Sequence, residues 1–259
     1  MNKLFLPHCI LLLVTAAVTP AQEKKPASYP KMAPAAQYRI EKSQDEVALA
    51  RSAAPLSISA DAEVLVLGRN GYETAVKGKN GFVCFVERSW AAGFDDPEFW
   101  NPKLRSPNCF NPPAVSSVLP QYLKRTEWAL AGISKPQMMQ RTQAAISDGS
   151  FQEPAPGSFS FMLSKDGYVS DDGGAWLPHV MFFVPHGQAA LYGAGREGSP
   201  VFGRDGCALE ATVLFIPVRR WSDGSPAPAA HEGMARATSA EHALISKAAP
   251  RNWSPLLRP

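Results

Sequence analysis

Beyond its first twenty residues the sequence has no apolar run long enough to cross a bilayer, which takes about 20 residues. Charge of either sign is scarce. The 26 basic and 23 acidic side chains leave a formal net charge of +3, too little to indicate a nucleic-acid partner. Cysteine is rare too, with four in 259 residues. There is no Cys-x-x-Cys pair, no Gly-x-Ser-x-Gly nucleophile elbow and no His-Glu-x-x-His zinc helix. Redox, elbow-serine and zincin chemistry therefore lose their usual signatures. No cofactor and no metal are expected.

What is present begins with an export pattern. Lys3 precedes an apolar stretch, Ile10 to Val18, and then Thr19-Pro20-Ala21. A basic start, a short apolar core and small residues before a cut describe a secretory signal peptide over residues 1–21. Cys9 lies ahead of the apolar run, where a lipid-anchor cysteine would lie behind it. The expected product is exported to the periplasm or beyond, with no membrane span. Its partner would be a small molecule or an envelope component.

Export makes disulfides permissible. Cleavage leaves Cys84, Cys109 and Cys207, an odd count. Cys84 with Cys109 is the preferred pair because it closes a short loop, worth about 3 kcal/mol in the chain-entropy model. Three buried, unlinked thiols are the plainer alternative.

The 24 prolines and 19 glycines divide the chain into short elements. Residues 22–42 read as a flexible leader and 43–221 as one α+β domain. Residues 222–259, rich in Pro and Ala, read as a flexible tail. Ser43-Gln44-Asp45-Glu46 is a capping-box pattern opening a helix that stops before Pro55. Three β-rich runs between 63 and 88 are separated by Asn70-Gly71 and Asn80-Gly81, which predicts a three-stranded meander. Residues 82–87 are apolar on both faces, so that strand is expected inside a sheet. Trp90 to Pro113 is aromatic, proline-broken and expected to be irregular. Helices are predicted over Val115–Ala131 and from a Ser134 cap to about Ile146. Strands follow at 158–163, 179–184 and 208–218. Strands, then helices, then strands make an α+β domain, mainly antiparallel, packed against two or three helices.

Ala48 to Pro55, Asn80 to Cys84 and Trp176 to His179 together resemble an uncharacterised group of exported bacterial proteins with no assigned activity. The resemblance implies a shared domain from about Gln44 to Trp221 and carries over no functional residue.

One stretch concentrates chemical groups: Asp171-Asp172-Gly173-Gly174-Ala175-Trp176-Leu177-Pro178-His179. An imidazole at a strand start, oriented by Asp171 or Asp172, can act as a base, and Trp176 can line a site. The bland account is a turn, a core Trp and a core His on the face of Met181 and Phe183. Trp90 and Trp100 are the other ligand candidates, against a satellite core under a long loop. Since no catalytic constellation is complete, the favoured reading is an extracytoplasmic binding or interaction module. The rival is a cofactor-independent hydrolase or isomerase using His179 with Asp171 or Asp172. A structural envelope protein is the third.

Overall fold

The strand Val83–Glu87 (β3) sets the architecture, because all five of its residues are buried. Such a strand needs neighbours at both edges and cover on both faces. The computed structural model describes residues 29–171, 177–205 and 211–227. In it β3 sits inside an eight-stranded sheet with β1 (Glu63–Leu67), β2 (Tyr72–Val76), β4 (Ser106–Phe110), β5 (Phe159–Met162), β6 (His179–Val184), β7 (Phe202–Asp205) and β8 (Thr212–Pro217). The order is β2-β1-β3-β4-β5-β6-β8-β7, antiparallel throughout except for β1 beside β3. The helices are α1 (Ser43–Arg51), α2 (Leu56–Ser59), α3 (Pro112–Ser117), α4 (Leu119–Leu130) and α5 (Lys135–Ser147). This is the α+β domain that the sequence predicts.

Side-chain alternation decides what covers each face. Leu65, Val83, Phe85, Phe110, Met162, Met181, Phe183 and Val213 meet Ala114, Val118, Leu119 and Tyr122 of the α3–α4 layer. Phe85 lies edge-on to Tyr72, Phe110 and Tyr122, with ring centroids 5.3, 5.3 and 6.0 Å away. Losing such a core ring costs about 3–5 kcal/mol. On the other face Val64, Cys84, Val86 and Cys109 lie under Ala50, Ala53, Ala54 and Ala62, small residues that let α1 approach closely. There Cys84 and Cys109, directly opposite each other in the β3–β4 ladder, form the expected disulfide, with Cα atoms 3.9 Å apart.

The meander expectation is corrected. β1 and β2 form a hairpin, but β3 pairs with the other edge of β1, in parallel, through Glu63–Val83 and Val64–Cys84. Glu73, Thr74 and Ala75 of β2 are exposed, so β2 suits an edge, whereas the buried β3 belongs inside. The link from β2 to β3 crosses the start of β1, where Lys79 N–H bonds Asp61 O at 2.7 Å. Gly78 makes the crossing possible: a Cβ there would lie 2.2 Å from the Glu63 nitrogen.

Several local expectations also change. Val115–Ala131 is interrupted at Val118, with Pro120 in the first turn of α4; proline supplies no N–H to continue α3. Asn111 caps α3, its Oδ1 accepting the Ala114 N–H at 3.1 Å. The expected Ser134 cap of α5 does form, in a capping box with Gln137. The excursion 90–113 contains β4, a strand that includes Pro107. β4 meets β5 only at Cys109 and Phe110, so the missing Pro107 N–H costs no bond to β5.

The Ser43–Glu46 box does not form. Lys42 is the N-cap, without a side-chain cap, and Glu46 turns inward, 1% exposed. Residues 29–42, assigned to the flexible leader, pack onto the domain. Tyr38 is fully buried with Leu67, Trp90, Phe99, Trp100, Ala129 and Met138. At the other end Ser222 N–H bonds Leu163 O at 2.9 Å and Lys165 pairs with Asp223 at 2.5 Å, so order continues past 221. The stretch 1–21, expected to be a signal peptide, and residues 228–259 lie outside the described residues.

Candidate functional site

Asp171 lies in a loop that is pinned by a two-way backbone pairing of Tyr168 with Arg105, 2.8 Å in each direction. That pairing brings the Tyr168 hydroxyl onto the Asp171 carboxylate. The Tyr29 hydroxyl donates to the same group, and Lys103 Nζ reaches it at 3.1 Å. These three donors hold the Asp171 carboxyl well below the usual carboxylate range, Tyr168 contributing most. Beside it Glu98 is raised, chiefly by burial, while accepting Asn101 Nδ2 at 2.5 Å. A carboxylate so occupied is a fixed anion. It clamps residue 29 and Lys103 to the loop and takes up no proton near neutrality.

His179 opens β6, opposite Met162 on one side and Pro217 on the other. Its Nδ1 lies 2.8 Å from Leu177 O. A carbonyl only accepts, so Nδ1 carries the proton and Nε2 the lone pair. The ring lies 5.6 Å from that of Phe215. Burial pushes the imidazole pKa below 6.5, so the ring is neutral at neutral pH and chemically able to accept a proton at Nε2. No hydrogen bond joins it to Asp171. Asp172 and Trp176 lie outside the described residues, as does Cys207.

The two other tryptophans are interior. Trp90, 1% exposed, donates its indole N–H to Thr126 Oγ1 at 2.9 Å and leans on Tyr38 with centroids 4.9 Å apart. The Trp100 ring packs edge-on against Phe99 at 4.6 Å, and its carbonyl accepts the Tyr38 hydroxyl at 2.8 Å. Two open concavities lie nearby. One, of about 690 Å³, runs between residues 29–35 and the end of α4. The other, of about 340 Å³, has Arg39, Gly68 and Arg69 on its wall.

Two features escape a reading by motif. The first is a set of buried charges where β3 ends. Arg88 is fully buried and pairs with Glu46 at 2.8 Å. Glu87, 8% exposed, accepts Asn108 Nδ2 at 2.6 Å. Burial pushes its carboxyl up to about 7, against lowering by Asn108 and by the Arg125 guanidinium. The signal was legible as two opposite charges directly after four apolar strand residues.

The second is an aromatic surface. Phe161 lies opposite Cys109, and Phe182 opposite Phe159, so these rings share the sheet face that α1 covers farther along. Phe159 lies 5.0 Å from Phe161, 5.7 Å from Phe182 and 6.5 Å from Phe82, centroid to centroid. The first three rings of this group, Phe82, Phe159 and Phe161, are half-buried, and Phe182 is 37% exposed. Comparison of the chain with known protein families, with curated proteins and with solved structures finds no match.

Proposed function

We propose that the chain is an exported binding or interaction module that meets an apolar protein surface through the aromatic face of β5 and β6. The carrying observation is the contiguous cluster of Phe82, Phe159, Phe161 and Phe182, half-buried to exposed, in which Phe82 and Phe161 pack at the margin of the cluster under α1 and Phe159 and Phe182 extend past it. Contiguous apolar surface left at solvent marks an interaction site. The backbones of β5, β6 and β8 are already paired with one another, so the face offers ring surface and no free ladder for strand addition. A partner presenting apolar side chains fits that chemistry. Export is supported by the basic and apolar N-terminal pattern and by a disulfide suited to an oxidising compartment.

The rival reading, a cofactor-independent hydrolase or isomerase, draws support from the neutral His179 imidazole. Asp171 gives it none, being engaged by Tyr29, Tyr168 and Lys103.

The test is a photo-crosslinking residue at position 182 in the exported, full-length protein. A discrete adduct is expected, and it should vanish when Phe159→Ser and Phe161→Ser are added to a chain that still melts cooperatively. The same adduct pattern from exposed Gln143 on α5, or none from 182, would remove the proposal.

A further inference from the structure

Glu87 projects from β3 into the layer between sheet and α4, on the same face as Phe85. Only one half of the neighbouring amide is accounted for by an ionised carboxylate. Asn108 Nδ2 donates to Glu87 Oε1, but Asn108 Oδ1 is buried without a hydrogen-bond partner among the described residues. A carboxylate has only acceptors to offer; a carboxylic acid has one donor as well. Paired with a primary amide, the acid satisfies both halves at once.

Among the described residues the charged and titratable groups around Glu87 are few. Arg125 faces it from α4, and the Tyr72 hydroxyl from β2. Glu46 and Arg88 are already paired with each other. Ser106 lies opposite Glu87 on β4, and the buried Ser89 hydroxyl follows it closely in the chain. Arg125 is meanwhile the fastener of the aromatic excursion. Its Nη1 and Nη2 donate to Ala91 O and Ala92 O at 3.3 and 2.9 Å. The guanidinium also lies over the Phe94 ring at 4.6 Å and the Phe99 ring at 5.8 Å.

We propose that Glu87 is a proton-operated latch: as the acid it gives its proton to Asn108 Oδ1, and its ionisation draws Arg125 off the Ala91 and Ala92 carbonyls and loosens residues 90–100. The proton leaves to solvent, and the charge left on Glu87 is a stronger acceptor for a guanidinium than a backbone carbonyl is. Burial of Glu87 favours the protonated state into the neutral range. The latch is closed in acid and opens as pH rises.

Two measurements on the full chain test it. In wild-type protein the Glu87 side-chain carbon, followed by NMR, should titrate near 7 rather than with exposed glutamates. Amide exchange of residues 90–100, corrected for intrinsic rates, should quicken by about tenfold or more as pH rises through that midpoint. Glu87→Gln places a donor and an acceptor where the acid has them, so its exchange protection should be independent of pH. Titration of Glu87 in the ordinary carboxylate range overturns the proposal, as does an unchanged pH response in Glu87→Gln. Should that variant fail to fold, the wild-type titration decides alone.

Discussion

Glu46 and Arg88 form an ion pair at 2.8 Å with both side chains shut off from solvent. Arg88 also donates from Nε to Tyr38 O at 2.6 Å and from Nη1 to Val86 O, and Glu46 Oε1 accepts the Leu67 N–H at 3.0 Å. One charge pair thus ties α1, β1, β3 and the segment before α1. Arg88→Met leaves the Glu46 carboxylate buried and unmatched, which should cost about 3–5 kcal/mol. The double variant Glu46→Met, Arg88→Met should lose much less. Urea midpoints of Glu46→Met, Arg88→Met and the double variant make the comparison; a double loss equal to the sum of the two single losses would show that the pair contributes little.

The disulfide gives a second prediction. Cys84 and Cys109 are both fully buried, 25 residues apart in sequence. Non-reducing peptide mapping should recover them linked. Cys84→Ala should destabilise by about 2–5 kcal/mol, the usual cost in small secreted domains. A free Cys84 in folded, oxidised protein would dispose of the pairing.

The pH dependence of stability has two limbs of opposite sign. His179 titrates below its ordinary 6.5 in the fold. Its contribution is therefore present above 6.5 and lost as pH falls through the lower, folded value. Glu87 titrates near 7 against an ordinary 4.5. Its contribution is present below 4.5 and lost as pH rises through 7. His179→Gln should flatten only the limb below 6.5, and Glu87→Gln only the limb between 4.5 and 7. Denaturant midpoints taken across both windows check this, and a variant that leaves its own limb unaltered refutes its assignment. A ligand-dependent shift of the His179 resonances would separately mark a functional imidazole.

The proposed export predicts loss of the leader. Mass spectrometry of natively expressed protein should find an N-terminus near Gln22. An intact Met1 terminus would end that reading.

Legibility followed the range of the forces involved. β6 and β8 and the Ser134 cap rest on neighbours in sequence, so pattern sufficed. The two apolar faces of β3 predict its place inside the sheet. Its partner was not readable, because Asn-Gly signals a turn but burial decides which edge a strand joins. β4 was hidden by Pro107, tolerated where no β5 ladder exists. Glu46 has the spacing of a cap residue, yet the buried Arg88, 42 residues away, claims it. Asp171 could be picked out as a candidate, but its partners Tyr29 and Lys103 lie 142 and 68 positions away. Only the fold reveals that it is occupied.

Among the described residues the first and last strands along the chain, β1 and β8, both stand one place in from the sheet margins, flanked on the outside by β2 and β7. Trimming inward from either terminus therefore removes an interior plank before a marginal one. Loss of β1 would orphan β2 and bare the flank of β3; loss of β8 would do the same to β7 and β6. Circular permutation meets the opposite situation at the β1–β2 turn, an exposed bend closed by Gly68 N–H to Gly71 O at 2.8 Å. New termini there would open at a margin and leave every inner ladder intact. The scaffold is therefore easier to recut at that bend than to shorten.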